Sequence, residues 1–377
     1  MMIDLSKING FYVGKQQYAR IYYQGRMIYP YNLNSDKITF AVKTGTALKF
    51  DKNSTSSSPI TDWGDGTVDS QYSHTYSLPG EYTITTTLEM SSSDEATKLA
   101  CIGVESLSKT RLSGYEMFSG CSNLKTVKGF NNVIKDCERM FYECTSLTEV
   151  SDLPSTVVYA DLMFYSCYSL VTAPRLNEGI QQCNNMFSRC LKLANIQSQL
   201  PSTLRKANHM FYLCNSLITA PELNNEIVDC ANMFYGCNNL INAPSVLPST
   251  IEDCSYMFGT CFKLEKTPII SNGIKKCRYL FYRCRSIKKL NGTIPNSVTD
   301  TSSMFSECEL LEEAAIIPQN IINCNSMYYE CVGLKTLPQE NIELFTNHSQ
   351  DLNSDDCYRG CINLINPSYE SIPENWK

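Results

Sequence analysis

The chain has 377 residues, of which 19% are charged, and a formal net charge of −6. This small negative charge excludes the broad basic face that binding to nucleic acid requires. No apolar run approaches the roughly 18 residues of a membrane-spanning helix, so membrane insertion is not expected. Asp4 and Lys7 interrupt the apolar start of the chain, and we therefore expect no secretory signal.

Residues 1–33 form an aromatic segment whose pattern is typical of short strands joined by tight turns. Four basic residues against one acidic residue give the segment a charge of +3. It is interpreted either as a flap packed on the next domain or as a β docking segment of a larger assembly. Its Tyr-x-Gly-x-x-Ile-Tyr ending resembles N-terminal segments of bacteriophage tail and fibre proteins. The docking interpretation assigns contacts to Tyr12, Tyr18, Arg20, Tyr22 and Tyr29.

Residues 36–105 are predicted to be a small all-β domain. The segments 38–42 and 82–88 alternate apolar and polar residues as half-buried strands do. Between them lie an Asp-Trp-Gly-Asp-Gly-Thr motif at 62–67, a His-Thr-Tyr motif at 74–76 and a Pro-Gly-Glu-Tyr-Thr motif at 79–83. This order of motifs resembles the PKD family of immunoglobulin-like domains, which implies a β-sandwich.

Three aspartates in this domain could suggest a calcium loop: Asp62, Asp65 and Asp69. Their spacing does not follow the EF-hand pattern, and aspartate is a common turn-forming residue. We therefore interpret them as turn residues and His74 as structural, and we expect no metal site.

Residues 106–338 repeat a Met-Phe-x-x-Cys-x-x-Leu line every 23 or 24 residues, from Met117 to Leu334. In the cleanest copy the apolar positions Cys230, Met233, Phe234 and Cys237 follow the i, i+3, i+4, i+7 spacing of one helical face. The pattern predicts a short helix in each repeat, then a turn and a short extended segment that stacks on its neighbours as a parallel ladder.

This arrangement resembles leucine-rich repeats, and the Phe-x-x-Cys-x-x-Leu line is similar to the BspA-like class. The resemblance implies an α+β fold class, with a leucine-rich-repeat solenoid of about ten coils after the PKD-like β-sandwich. Proline recurs beside the extended segment, and because it removes a backbone donor we expect short strands that end near it. Proline-rich and asparagine-rich turns alternate from coil to coil. The structural unit is therefore predicted to be a pair of about 47 residues, with one lateral edge that alternates in shape.

The 19 cysteines follow the repeat rather than a compact disulfide framework. One set closes the Phe-x-x-Cys line, and a second lies seven residues upstream, where other coils carry Ala160, Ala207 or Thr301. These alternatives indicate a small, buried position that free cysteine also suits. The Cys-x6-Cys spacing is longer than that of zinc-ligand pairs. We predict buried thiols, mostly reduced.

Residues 339–377 break the pattern and are predicted to be a C-terminal cap that shields the open end of the core. Trp376 is expected to pack there.

No feature of the sequence points to catalysis. His74, His209 and His348 lie in different regions, which argues against a nucleophile–histidine site. Glu312 and Glu313 are interpreted as solvated surface. We therefore predict a non-enzymatic protein without cofactor or metal.

What remains is a surface, because the residues beside the apolar positions of the extended segment vary freely and could form one face. The candidate binding residues on this strand-side face are Thr172, Arg175, Thr219, Glu222, Asn242, Ser245, Lys266 and Lys289.

Two functional hypotheses follow. In the first, the chain is a structural or adhesion protein of a phage particle, at the virion surface. Its N-terminal segment binds other virion proteins, the PKD-like domain is a spacer, and the repeats bind a host surface protein or glycan. In the second, it is a bacterial cell-surface adhesin or interaction scaffold, located extracellularly. Either protein could form a homo-oligomer.

Overall fold

The structure is a computed structural model of the chain. It describes residues 12–13, 16–17, 20–23, 26–30, 35–52, 60–87, 92–107, 111–196, 199–347 and 352–377. For the described residues between 12 and 30, and for 345–347, only the backbone is described. Tyr18 and His348 lie outside the described residues.

The described residues form mostly short strands and few helices. The strands are β1 (Tyr12–Val13), β2 (Gln16–Gln17), β3 (Arg20–Tyr23), β4 (Arg26–Pro30), β5 (Asp36–Val42), β6 (Ala47–Lys49), β7 (Thr61–Asp62), β8 (Val68–Asp69), β9 (Ser73–Thr75), β10 (Gly80–Thr86), β11 (Cys101–Ser106), β12 (Thr126–Val127), β13 (Glu149–Val150), β14 (Thr172–Ala173), β15 (Asn195–Ile196), β16 (Val246–Leu247) and β17 (Ile269–Ile270). The α-helices are α1 (Glu95–Ala100) and α2 (Gln339–Asn347), and 3-10 turns cover Tyr369–Ser371 and Glu374–Trp376.

A β-rich module lies before the repeats. Its strand β5 is the centre of a sheet in the order β13-β12-β11-β5-β10-β7-β8, and β6 pairs with β9 separately. Trp63 and Tyr76 are fully buried in its core, where the Tyr76 hydroxyl donates to the Trp63 carbonyl at 2.8 Å. The His74 ring stacks on Trp63 with centroids 5.0 Å apart, which agrees with the structural role predicted for this histidine.

The module and the repeats share strand β11. This strand pairs antiparallel with β5 on one side and parallel with β12, the first repeat strand, on the other. A buried ion pair reinforces the junction, because Arg111 Nη2 lies 2.6 Å from Asp36 Oδ2. The predicted boundary at 105/106 therefore falls at the end of a strand that belongs to both parts, and the four domain ranges stay predictions.

The short helix predicted for each repeat is wrong. Each Met-Phe-x-x-Cys segment is a series of tight turns. In the cleanest copy, Met233 N–H donates to the Cys230 carbonyl three residues earlier at 3.2 Å, whereas Phe234 N–H donates to the Met257 carbonyl of the next repeat at 2.9 Å. The two kinds of bond alternate along the segment. Half of the donors thus bind the neighbouring repeat, whereas a helix would use them internally.

Two residues per repeat adopt the left-handed conformation that makes these turns. One precedes the Met-Phe pair and the other precedes the cysteine, as at Asn232 (φ 57°) and Gly236 (φ 75°). A helix cannot contain such residues. We call each stacked repeat a coil.

Two ladders of parallel backbone bridges join the coils. One runs through the residue that follows each repeat leucine by two positions, for example Thr219↔Asn242↔Lys266. The other runs through the residue eight positions before each repeat cysteine, for example Asp136↔Tyr159↔Gln182. Strands on the first ladder span two residues, and β14 ends at Ala173, directly before Pro174. The prediction of short strands that end near the proline is confirmed.

The core is a set of side-chain columns. The repeat phenylalanines stack from Phe118 to Phe305 with centroids 5.4–5.8 Å apart. The column continues through Tyr328 and Tyr358 to Trp376, whose ring lies 6.0 Å from that of Tyr358. Trp376 is fully buried and closes the end of the core, as predicted for the C-terminal cap.

Candidate functional site

The strand-side face is the row of residues that follow the repeat leucines. Leu170 and Ala173 are buried in the core, so the residues between them, Val171 and Thr172, point outward. Leu217 and Ala220 are buried in the same way, and Ile218 and Thr219 between them are exposed. The face exists because each extended segment is too short to bury both of its sides.

The eight predicted binding residues fall into two columns. Five occupy the same ladder position in different coils, with the coil of Asn195 between the first two, so the parallel stacking places them in a row: Thr172, Thr219, Asn242, Lys266 and Lys289. Within this row, Asn242 Nδ2 donates to Thr219 Oγ1 at 3.2 Å.

The other three residues lie three positions further along their coils. Glu222 accepts hydrogen bonds from the Ser245 backbone N–H at 3.1 Å and from the Ser245 hydroxyl at 2.8 Å. Arg175 pairs with Asp152 of the preceding coil, with 3.7 Å between Nε and Oδ2. These polar groups already bind residues of neighbouring coils. The second column therefore stiffens the face and offers a partner few free hydrogen-bonding groups.

Within the described residues the ladder along the face is interrupted in several places, among them between Glu149 and Thr172, between Lys266 and Lys289 and between Asn195 and Thr219. Thr172 pairs with Asn195 in β14–β15, and Thr219 pairs with Asn242, but no bridge joins Asn195 to Thr219 in the described part of the chain. An open cavity of about 500 Å³ lies at this interruption. Its lining residues are Ala194, Asn195, Ile196, Gln199, Ile218, Thr219, Ala220 and Pro221.

The face has two chemically different halves. Around the cavity the residues directly after the repeat leucines are uncharged and partly apolar, since Val171 is 45% and Ile218 is 50% exposed. From Glu265 to Lys335 the face is charged, and the charges of neighbouring coils compensate each other, as in the Lys335–Glu312 pair at 3.6 Å. An exposed neutral patch with amide and hydroxyl groups is the half that is more easily desolvated by a partner.

The predicted binding residues include the ladder position of this face, but they do not include its residues Val171, Ile218, Asn195 and Gln199. The signal for the two aliphatic residues was present, because other coils carry Lys125, Glu265 or Lys288 at the position directly after the leucine. An aliphatic residue at a solvent-facing position is informative only once the face is known.

His74 and His209, the two histidines within the described residues, lie in different parts of the fold. His74 Nε2 lies 2.7 Å from Asp65 Oδ2 inside the β-module, and His209 lies on a distant coil beside Tyr212. Burial lowers the pKa of His209 despite the opposing effect of Asp229. In the described residues, no three side chains of His, Cys, Asp or Glu are grouped as a metal ion would require.

The aspartates of the β-module form turns. Asp62 Oδ1 accepts from Gly64 N–H, and Asp65 Oδ1 accepts from Thr67 N–H, both at 2.9 Å. Asp69 Oδ1 accepts from Gln71 N–H at 3.0 Å and from the Trp63 indole N–H at 2.9 Å. Each carboxylate therefore fixes local backbone, as the turn interpretation predicted.

The cysteines are buried, all 19 of them, as free thiols within the described residues. Burial raises the pKa of the Cys237 thiol to about 12, although the backbone at Cys214 opposes the shift. A thiol that stays protonated at neutral pH is neither a good nucleophile nor a metal ligand.

The predicted docking residues of the N-terminal segment lie in or beside the short strands β1, β3 and β4. Tyr12, Arg20, Tyr22 and Tyr29 lie in strands whose side chains are outside the description, and Tyr18 is outside it altogether. Their docking role stays a prediction. Among the described helices, none is long and apolar enough to cross a bilayer.

Comparison with known proteins identifies the repeats. A family model described as the BspA type leucine-rich repeat region matches residues 106–218, 163–288 and 230–365. No curated protein matches the chain.

The chain also has similarity to solved structures of bacterial leucine-rich repeat proteins, and three of them are as follows. A leucine-rich cell surface protein of Faecalibacterium prausnitzii is 17% identical and has a TM-score of 0.41, with 72% of this chain and 82% of that chain covered. A leucine-rich repeat protein of Bacteroides ovatus is 18% identical, with a TM-score of 0.34 and coverage of 70% and 88%. One from Eubacterium ventriosum is 12% identical, with a TM-score of 0.37 and coverage of 71% and 87%.

Proposed function

The chain belongs to the BspA-type leucine-rich repeat family, and from this membership we propose that it is a non-enzymatic adhesion protein of a bacterial cell surface. It binds a host protein or glycan along the strand-side face. The observation that carries the proposal is the neutral half of that face, where Val171 and Ile218 are exposed beside the open cavity at the ladder interruption. That one similar solved structure is called a cell surface protein supports the location.

Stacked coils suit this function for a physical reason. A partner can contact many coils at once, and each coil is held in place by bridges to its neighbours, so little order is lost on binding. A tightly packed core without reactive thiols leaves the surface as the functional part.

The β-module supports a second part of the proposal, that residues 36–105 are a PKD-like, immunoglobulin-like domain. The motif residues Trp63, His74 and Tyr76 pack together, with His74 stacked on Trp63 and edge-on to Tyr76, as that resemblance implies. Because β11 joins strands of the module and of the repeats in one sheet, we propose that the module is a rigid cap on the repeats and not a free spacer.

Binding to intact cells tests the proposal. The labelled full-length protein is applied to cultured epithelial cells, untreated or pretreated with a protease or with glycosidases. We expect saturable binding that one pretreatment abolishes, and that treatment tells whether the receptor is a protein or a glycan. Ile218→Arg is expected to weaken binding at least about tenfold, because a charge enters the contact.

Val228→Arg is the matched control. Val228 is 41% exposed but lies beside the other ladder, away from the strand-side face. Equal loss of binding in both variants, or no saturable binding to any cell, would contradict the proposed face.

The virion hypothesis from the sequence stays a prediction, as does homo-oligomerisation. Mass spectrometry of purified phage particles and of proteins shaved from intact bacteria separates the two locations. Detection in particles only would overturn the cell-surface proposal.

A further inference from the structure

The turn segments of four consecutive coils carry a row of aromatic side chains. In each segment one half-buried position precedes the buried pair of apolar residues and another follows it. These positions lie in a part of the coil different from the strand-side face. The aromatic residues that occupy them in the four coils form what we call the tyrosine band: His209, Tyr212, Tyr235, Tyr256, Tyr279 and Tyr282.

The rings of the band contact each other across all four coils. Tyr212 and Tyr235 are stacked with centroids 5.5 Å apart, and Tyr256 and Tyr279 are stacked at 4.5 Å. Between these pairs, the planes of Tyr235 and Tyr256 are tilted by 58°, and Tyr282 stands edge-on to Tyr279 at 87°. A tilted or edge-on contact leaves part of a ring face uncovered by the neighbouring ring.

Gly259 keeps the row continuous. It occupies the position after the apolar pair, where the two adjacent coils carry Tyr235 and Tyr282. A Cβ at this glycine would lie only 2.7 Å from the Tyr235 ring. The missing side chain therefore leaves the space in which Tyr235 contacts Tyr256, and any larger residue would break the row there.

The band offers hydrogen-bonding groups without uncompensated charge. Arg278 and Arg283 are the only permanently charged residues in the segments 208–213, 231–236, 255–260 and 278–283. They pair with Asp300 at 2.6 Å and with Glu307 at 2.8 Å. Of the five tyrosine hydroxyls, only that of Tyr282 has a hydrogen bond within the described chain, to Glu307 Oε1 at 3.2 Å. The other four are available to a ligand.

This chemistry selects a neutral sugar chain. The apolar C–H face of a sugar ring packs on the electron-rich face of an aromatic ring, and sugar hydroxyls exchange hydrogen bonds with those of tyrosine. An anionic ligand would need cations, which are already paired here. A proline-rich peptide also packs on aromatic side chains, but it uses grooves between them. Centroid distances of 4.5–6.3 Å close the space between successive rings of the band.

We propose that the tyrosine band binds a neutral polysaccharide chain that lies across the four coils. Its sugar rings pack on the uncovered ring faces and hydrogen-bond with the four free hydroxyls. Coils stack at about 4.8 Å, so the band is on the order of 15 Å long, enough for a short run of linked sugar rings. The proposal goes beyond the contact made by the strand-side face and uses none of its residues.

Affinity electrophoresis with the full-length protein tests the proposal. Native gels are cast with glycogen, β-glucan, mannan or galactan, which are neutral, or with alginate, which is anionic. We expect at least one neutral polysaccharide to retard the protein, to the same extent as salt is raised, and alginate not to retard it. A labelled proline-rich peptide, followed by fluorescence anisotropy, is expected not to bind.

Variants then locate the site. Tyr256→Ala combined with Tyr279→Ala is expected to weaken binding at least about tenfold, because a stacked pair of rings is lost. Phenylalanine at both positions keeps the rings and removes two hydroxyls, so the expected loss is smaller, roughly two- to fivefold. Because the phenylalanine variant preserves the packing, it reports on binding even where alanine lowers stability.

The matched control is Tyr142→Ala combined with Tyr165→Ala. These rings are also half-buried and stacked, with centroids 4.9 Å apart. No third aromatic ring contacts them in the described part of the chain, and Arg139 lies over the Tyr142 ring at 5.9 Å. Binding is therefore expected to stay at the wild-type level.

Retardation by none of the neutral polysaccharides would overturn the proposal. So would an equal loss in the control pair, wild-type affinity in both band variants, or binding of the proline-rich peptide that the band variants abolish. Retardation lost in Ile218→Arg but kept in the band variants would assign the sugar to the strand-side face, and that result would also overturn it.

Discussion

A cysteine thiol forms a hydrogen bond from each coil to the backbone of the preceding coil. Cys237 Sγ donates to the Phe211 carbonyl at 3.1 Å, and the same carbonyl accepts Cys214 N–H at 3.1 Å. Equivalent thiol bonds of 3.0–3.3 Å recur from Cys144 to Cys361. Cysteine suits this slot because it is small, apolar enough for the core and still a donor.

Alanine substitutions separate the two cysteine slots. Cys237→Ala removes both the donor and a buried sulfur, and we expect a loss of about 1–2 kcal/mol in the free energy of unfolding. The control is Cys230→Ala, in the upstream slot where Ala160 and Ala207 occur naturally, with an expected loss below about 1 kcal/mol. Urea denaturation measures both, and a larger loss for Cys230→Ala would be inconsistent with the thiol bond.

Asp65 makes the β-module sensitive to acid. Burial alone raises the pKa of its carboxyl, but hydrogen bonds from Thr67 N–H and His74 outweigh that effect and the net pKa is lowered from 3.8. Its stabilising contribution is therefore present above pH 3.8 and is lost as the pH falls below that value toward the lowered pKa.

We expect Asp65→Asn to be less stable near neutral pH and to lose less of its remaining stability on acidification. Trp63 reports the transition by fluorescence, since its ring stacks on His74. The two proteins compared are Trp376→Phe and the double variant Trp376→Phe/Asp65→Asn. In both of them Trp63 is the single tryptophan. Parallel acid curves for the two proteins would refute the assignment.

The turn segment is the element that makes the coils stack. Its left-handed residues turn every second backbone N–H toward the next coil, and this is why the apolar spacing of a helix does not produce one here. The slot before the cysteine holds Gly120, Gly236 and Gly360 in three coils, and Thr260 at φ 60° in another. A β-branched residue is strained in this conformation.

Thr260→Gly is therefore expected to stabilise the protein by about 0.5–1 kcal/mol, because relief of strain exceeds the added chain entropy of glycine. Gly120→Thr is the reverse change, at a site where the new Cβ meets only the Lys98 side chain at 3.6–3.7 Å. It is expected to destabilise by about 1 kcal/mol. Chemical denaturation checks both, and shifts of the same sign would contradict the strain argument.

At the scale of the whole molecule, one column of aromatic rings extends from Phe118 to Trp376, and both of its ends are covered. The β-module covers the first coil through β11, and Trp376 covers the last aromatic residue, Tyr358. Coils depend mainly on their neighbours, so an uncovered end would open first.

Trp376→Ala is expected to remove roughly 2–4 kcal/mol, since a large buried ring is lost. The loss should be local, so hydrogen exchange should speed up most around Cys331 and Cys361 and least near Cys144. Trp376→Phe keeps a stacked ring and is expected to lie between wild type and alanine. Uniform acceleration along the chain would argue against an end cap.

Much of this architecture could be predicted from the sequence because it repeats. The period, the buried Met, Phe, Cys and Leu columns and the row from Thr172 to Lys289 all follow from aligning the copies. The turn was missed because helix and turn segment share the same apolar spacing. The recurrent glycine before the cysteine was the available signal.

Non-local pairing could not be predicted in the same way. The bond between β11 and β12 joins two different kinds of unit, and the missing bridge between Asn195 and Thr219 depends on how the coils diverge. The position of helix α2 likewise depends on the buried residue Asn341, whose side chain bonds to the backbone of Ile317 and Ala315. No periodic pattern contains that information.

The shared strand β11 also determines how the protein is presented. A hinge at this point would have to break backbone bonds on both sides of one strand. Whatever fixes the β-module in place therefore also sets the orientation of the strand-side face. Copies anchored side by side on one surface would all face the same way, and weak individual contacts would then add up as avidity.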